Sequence, residues 1–414
     1  MSEEQKVHKE QTTRSIGYIE SIDGIRGFYV FPIIIMHLHL QHIKMPAFIP
    51  HFTLHLFFIL SAYLISSILY KQKEKSESFK LFAKDFYIKR ALRILPLYWA
   101  YILFFFGVAV VLRTVAPALE QNFLGVIHDL KHYGWMLLTF TFNYRELFSW
   151  SQDLSHLRCH VFPHLWSISI EEQFYLIIPT LIFFLNKKSI KIISIIVVCV
   201  YPLIRTFGYI YFRDVVEMRT TYGDEWNALF NFFYRSSFFQ FDAFFYGLLI
   251  PLIRIEKRYI LYAGYFISLL LMILSQSYNA VLIADEQKIS FWSAIHLPTV
   301  IYSNNQFMYM NTLYNIFGFF LIYIMINDPK SLLNKFYNAK VFRPIGKVIY
   351  GMYVYHPVFA LLTLALYYGF LVKVIPNILA DIIAIAICTT ATYYFAKLSY
   401  YKFEIYFLNL KSKK

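Results

Sequence analysis

The sequence is short of charge and of cysteine. Only 15% of its 414 residues are Asp, Glu, Lys or Arg, too few to cover the surfaces of soluble domains of that total length. Three cysteines, Cys159, Cys199 and Cys388, are too few and too scattered to staple a small disulfide framework. The first sixteen residues are polar and no small-residue cleavage site follows the first apolar run, so a removable leader is not expected and that run reads as a retained helix. There is no internal repeat, heptad run or low-complexity linker. No G-x-S-x-G is present, which argues against a serine-hydrolase elbow.

What is present is apolar. Hydrophobic residues make up 58% of the chain and aromatic ones 20%. This composition implies an all-α integral membrane protein with the lipid bilayer as its main surroundings. Apolar spans are expected at about 25–43, 52–70, 93–112, 165–185, 192–211, 229–253, 259–275, 311–326, 345–370 and 376–398. A formal charge of +14 would suit nucleic acid, but the basic residues fall mainly in alternate short connections. That is the positive-inside pattern, so no nucleic-acid partner is expected. About ten transmembrane helices with both termini cytoplasmic place most of the 39 Lys and Arg inside, including the run from Lys71 to Arg93. The expected organisation is a flexible cytoplasmic N-terminus at 1–16, a transmembrane domain at 17–400 and a basic cytoplasmic tail at 401–414, in a multi-pass inner or plasma membrane protein. Two stretches are read as interfacial or re-entrant, 134–142 and 291–308.

Five stretches combine membrane helices with chemically capable side chains. In S-I-D-G-I-R-G-F-Y-V-F-P-I-I-I-M-H, Arg26 and His37 are eleven residues apart, within about 20° of three whole turns, so they share a helix stripe with Asp23 nearby. An ionisable side chain inside a bilayer is by default a functional hypothesis; the competing reading is a histidine wetted by headgroups at a helix end. Arg90 and Arg93, three apart on one face, form a fork suited to phosphate or, more plainly, a positive-inside anchor. In H-L-W-S-I-S-I-E-E-Q-F-Y, Glu171 and Glu172 lie about two turns into a span, where an acid faces a cavity or a cation, or simply the helix dipole. Ser61 and Ala62 let a neighbour approach closely, and Tyr353 and His356 share a face of the ninth span. His156, Cys159, His160 and His164 have helix-compatible metal spacings, but nothing fixes a helix there and no metal is expected.

In this order the stretches resemble the membrane-bound acyltransferase 3 family. Asp23–Gly27 with His37 is similar to its D-G-x-R-G opening, and Phe57–Ile65 to its F-F-x-L-S-G-[FY]-L-I span. Arg90, Arg93, Pro96 and Tyr98 match R-x-x-R-I-x-P-x-Y. Trp166–Tyr175 resembles W-S-[LI]-x-x-E-E-Q-F-Y, and Gly346–His356 resembles G-x-x-S-Y-x-x-Y-x-x-H. Departures occur at Phe28, Tyr29, His55, Ala62 and Ile349, where they are expected to reshape the acyl pocket or acceptor path. The resemblance implies transfer of an acyl group, usually acetyl, from cytoplasmic acyl-CoA as co-substrate, with no tightly bound cofactor, to a hydroxyl of a glycan or lipid-linked glycan such as capsule, exopolysaccharide or O-antigen. Relatives acting on peptidoglycan or O-antigen often add a C-terminal esterase-like domain, and none is expected in the sequence through Lys414. On this reading Arg90 and Arg93 hold the phosphates of coenzyme A and Arg26 joins them or balances charge. His37 is the general base or the acyl carrier, and Glu171 fixes its tautomer. Asp23, Trp166, Ser167, Tyr175, Tyr353 and His356 line the pocket or meet the acceptor. The alternative is a transporter of an acylated or anionic metabolite, since intramembrane Arg, His and Glu also mark substrate pathways.

Overall fold

A computed structural model describes residues 20–115, 124–145, 161–220, 233–297, 306 and 308–410, and among these every regular element is helical. In chain order they include α1 (Glu20–Leu38), α2 (Phe48–Lys73), α3 (Phe79–Val115), α4 (Leu124–Leu138), α5 (Trp166–Phe184), α6 (Lys187–Thr220), α7 (Ser237–Gln240) and α8 (Asp242–Leu249). There follow α9 (Arg258–Gln287), α10 (Phe291–Ala294), α11 (Met310–Asn327), α12 (Leu332–Tyr337), α13 (Phe342–Lys347), α14 (Ile349–Leu366) and α15 (Asn377–Ser399). Nine helices among the described residues are long and apolar enough to cross a membrane. In the bilayer a helix satisfies its own backbone hydrogen bonds, which is why these apolar runs can adopt nothing else. Where they stop, the backbone changes hand: His39 after α1 and Lys288 after α9 have positive φ, 43° and 53°.

The bundle is wrapped around α2, whose buried residues extend from Pro50 to Tyr70 and include the polar His51, Thr53, His55, Ser61 and Ser66. Large apolar side chains such as Leu103, Phe104, Leu176, Phe207 and Phe266 remain exposed on the outer helices, the surface that lipid would cover. A second, smaller core joins α1, α14 and α15 through Val30, Ile34, Met352, Ala360 and Cys388.

The expected span at 229–253 is not one helix in its described part. It forms α7 and α8, joined at Phe241. Asp242 opens α8 and is fully buried, where its carboxylate receives Arg205 Nη1 at 3.0 Å and Nη2 at 2.8 Å. Asn315 Nδ2 donates to the same carboxylate at 3.0 Å, and Arg205 also donates to Thr312 Oγ1 and to the carbonyl of Phe239. A buried charge is tolerated only when paired and hydrogen-bonded, so α6, α8 and α11 are pinned around this pair. The stretch at 134–142 falls on the end of α4, whose 15 residues rise about 22 Å, short of the ~30 Å hydrocarbon layer. Within 291–308, α10 is short, and 298–305 and 307 lie outside the described residues.

Candidate active site

The glycines of D-G-x-R-G explain how Arg26 is aimed. A Cβ on Gly24 would lie 1.6 Å from the Tyr337 carbonyl oxygen, one on Gly27 2.0 Å from that of Phe342, and one on Gly346 1.8 Å from that of Asp23. Backbone therefore meets backbone where α1 crosses α12 and α13, an approach only glycine permits. Arg26, between the two α1 glycines, is directed into a cavity of about 260 Å³ lined also by Arg90 and Arg93 of α3. All three sequence-predicted arginines thus meet in one place.

Apolar side chains of α2, including Leu54, Phe57, Phe58 and Leu64, line much of the rest of this cavity, and Glu171 is its one acidic lining residue among the described residues. Arg26 sits in the field of Asp23, Glu171 and Arg93. Arg90 lies over the rings of Tyr175 and Phe86, 5.6 and 5.8 Å from their centroids. Three guanidinium groups against one lining carboxylate leave a net positive cavity, built to attract an anion.

The polar wall of the cavity leads to the histidines. Ser61 Oγ and the Tyr175 hydroxyl are 2.6 Å apart, and Ser167 Oγ and the Tyr353 hydroxyl 2.5 Å apart. Tyr353 lines the cavity and donates its hydroxyl proton to the His164 carbonyl at 2.6 Å. Behind it the ring of His356 stands edge-on to His37 at 4.7 Å and to His164 at 5.3 Å. His37 Nδ1 is 2.8 Å from the Ile33 carbonyl and His356 Nδ1 2.7 Å from that of Tyr353. A carbonyl only accepts, so in each neutral ring the proton is on Nδ1 and Nε2 carries the lone pair. Among the described residues, Nε2 of His356 is buried without a hydrogen-bond partner, and the ring of His164 is buried beside it. His37 is only half-buried, so its ring remains approachable.

Other predicted residues fall on both sides of this arrangement. Ser167, Glu171, Tyr175 and Tyr353 line the cavity, whereas His37, Asp23, Trp166 and His356 do not. Glu171 faces Arg26, Ser61, Arg90 and Tyr175, and it is the Ile33 carbonyl that receives the Nδ1 proton of His37. Trp166 packs on Tyr234 and Phe58. Of the departures from the family pattern, Ile349 alone lines the cavity. Phe28 and Tyr29 pack on Tyr337, His55 donates to Asn315 Oδ1, and Ala62 meets Gly247.

Sequence reasoning missed His164 as a neighbour of His356, although it stands two residues before Trp166. It also missed Gln173, whose Nε2 donates to the Phe140 carbonyl and to Asn143 Oδ1, and whose Oε1 accepts from Ser237. That network joins α5 to α7. His156, Cys159 and His160 lie outside the described residues.

A family model described as an acyltransferase domain matches residues 19–397. The chain is 29% identical over 400 residues to the peptidoglycan O-acetyltransferase OatA of Listeria monocytogenes, covering 95% of this chain and 56% of that protein. It is 30% identical over 229 residues to a provisionally named O-acetyltransferase of Staphylococcus aureus, 50% of this chain and 34% of the relative. It is 31% identical over 199 residues to YrhL of Bacillus subtilis, provisionally named a peptidoglycan O-acetyltransferase, 46% of this chain and 28% of the relative. The chain thus spans little more than half the length of the curated relatives it matches, or less. No solved structure matches it significantly. With its long apolar helices and a family match over nearly its whole length, this all-α, multi-pass membrane chain belongs to the acyltransferase 3 family.

Proposed function

We propose that this protein is a membrane O-acyltransferase that moves an acyl group, most simply acetyl, from cytoplasmic acyl-CoA to a hydroxyl of a cell-envelope glycan. One observation carries the proposal: Arg26, Arg90 and Arg93 converge on a cavity whose Ser167–Tyr353 wall backs onto His37, His356 and His164. Guanidinium groups suit the phosphates of coenzyme A. Arg26 and His37 are eleven residues apart on α1, about 16 Å along the helix, a span for an extended pantetheine arm. The thioester then lies near the imidazole while the phosphates stay with the arginines.

In the proposed step, Nε2 of neutral His37 takes the acceptor hydroxyl's proton as that oxygen attacks the thioester carbonyl. The carbon–sulfur bond breaks, and the imidazolium returns the proton to the departing thiolate. The tautomer needed is the one set by Ile33. Support for a glycan acceptor comes from two relatives named for peptidoglycan.

The test follows radiolabel from acetyl-CoA into the envelope polysaccharide in membranes carrying wild type, His37→Ala or Arg93→Ala. Label should be absent with His37→Ala and, at limiting acetyl-CoA, much reduced with Arg93→Ala. Equal labelling in all three would sink the assignments, and uptake of label into vesicles without transfer would favour a transporter.

A further inference from the structure

The mechanism leaves unused a fully buried carboxylate, that of Asp381 on α15. Its Oδ2 accepts the backbone N–H groups of His42, at 2.9 Å, and Ile43, at 2.6 Å. Its Oδ1 accepts the hydroxyl of Tyr367, itself fully buried. Both oxygens are therefore engaged, and none of these three partners is a cation. Burying a carboxylate costs heavily unless donors surround it. Here they do, and the bonds tie α15 to the segment after α1 and to the turn after α14.

Tyr367 opens a π-helical turn, Tyr367–Leu371, immediately after α14; such turns recur at functional sites. The next residue, Tyr368, reaches the carbonyl of His39, at 3.5 Å. His39 is the left-handed residue that stops α1, two positions beyond His37. So α14, which carries His356, and α15 both grip the segment directly following His37. The 4.7 Å contact between the two imidazoles lies between this grip and the cavity.

We propose that Asp381, together with Tyr367, is a positioning residue that fixes the end of α1 and thereby holds His37 against His356. The inference rests on the reading of His37 as the base, but the geometry it asserts can be tested apart from activity. Asparagine can keep its amide oxygen on the two N–H groups while its amide N–H turns to the Tyr367 oxygen, so Asp381→Asn preserves the grip. Asp381→Ala takes the acceptor away from the N–H groups of His42 and Ile43 and frees the segment.

The purified protein in detergent is treated with diethylpyrocarbonate, and modification of His37 is measured by peptide mass spectrometry relative to exposed His132 on α4. Asp381→Ala should change the His37-to-His132 ratio at least fivefold, and Asp381→Asn should stay within twofold of wild type. General loosening would also raise modification of buried His55 on α2, which should stay at its wild-type level. In the transfer assay, Asp381→Ala should lower kcat about tenfold or more, as expected for a misplaced catalytic group, with KM for acetyl-CoA unchanged. A ratio unaltered in Asp381→Ala overturns the proposal. If that variant does not reach the membrane, Tyr367→Phe carries the test, with a shift of about threefold expected for loss of one of the three donors and no shift overturning it. A changed ratio with transfer undiminished in His37→Ala would uphold the clamp and refute the base assignment.

Discussion

Replacing Gly27 by alanine isolates the contact that aims Arg26. The new methyl would sit 2.0 Å from the Phe342 carbonyl oxygen and 3.0 Å from the Gly346 nitrogen, where ordinary contact begins at 3.4 Å. The obstacle is backbone rather than a flexible side chain, so α1 and α13 must part by more than about 1 Å. Forcing extra volume into a packed contact costs about 1–3 kcal/mol. The larger effect falls on function, because a displacement of this size at a positioned group costs about 100-fold in rate. Melting of the purified protein and acetyl transfer at saturating and limiting acetyl-CoA measure both. We expect a lowered melting temperature and a loss of kcat/KM for acetyl-CoA exceeding what the stability change explains. A Gly27→Ala protein with wild-type melting and wild-type KM would refute the reasoning that backbone contact aims Arg26.

Three further outcomes follow from the same geometry. Asp242→Ala strands the buried Arg205 guanidinium and should destabilise the bundle by about 3–5 kcal/mol, read as lost folded protein in membranes or a much lower melting temperature. Arg93→Ala removes one of three cavity cations and should raise KM for acetyl-CoA about tenfold or more, as expected for loss of a phosphate contact, with a smaller effect on kcat. Outside the spans, Asp328 is pushed up by partial burial, but its bonds with Tyr262 and Arg258 outweigh this and hold its carboxyl below the usual range. A depressed folded value means the stabilisation is full above the unfolded pKa of about 3.9 and is lost as pH falls through the folded value. Asp328→Asn should thus lower the melting temperature at pH 7, with the difference from wild type vanishing in strong acid.

Much of the site was legible because its residues announce themselves by cost. Charged groups within apolar runs are expensive, so Arg26, His37, Arg90, Arg93 and Glu171 stood out, and helical periodicity put Arg26 and His37 on one stripe. Asp381 and Asp242 sit in equally apolar surroundings, yet their meaning depends on partners far along the chain: backbone groups at His42 and Ile43, and Arg205. A backbone N–H leaves no mark in a sequence. The same limit applies to Glu171. It was expected to fix the tautomer of His37, whereas an imidazole inside a helix can use the carbonyl four residues earlier, here Ile33. The run at 229–253 was read as one helix because hydropathy averages over the Asp242 break.

The two halves of the site should separate kinetically. With acetyl-CoA varied against the envelope acceptor, His37→Ala should abolish turnover while coenzyme A still binds with wild-type affinity, and Arg93→Ala should weaken that binding about tenfold or more, as expected for loss of a phosphate contact, while leaving residual turnover at saturation. If His37→Ala turns over as fast as wild type, or if Arg93→Ala binds coenzyme A as tightly, donor and base are not divided between these residues.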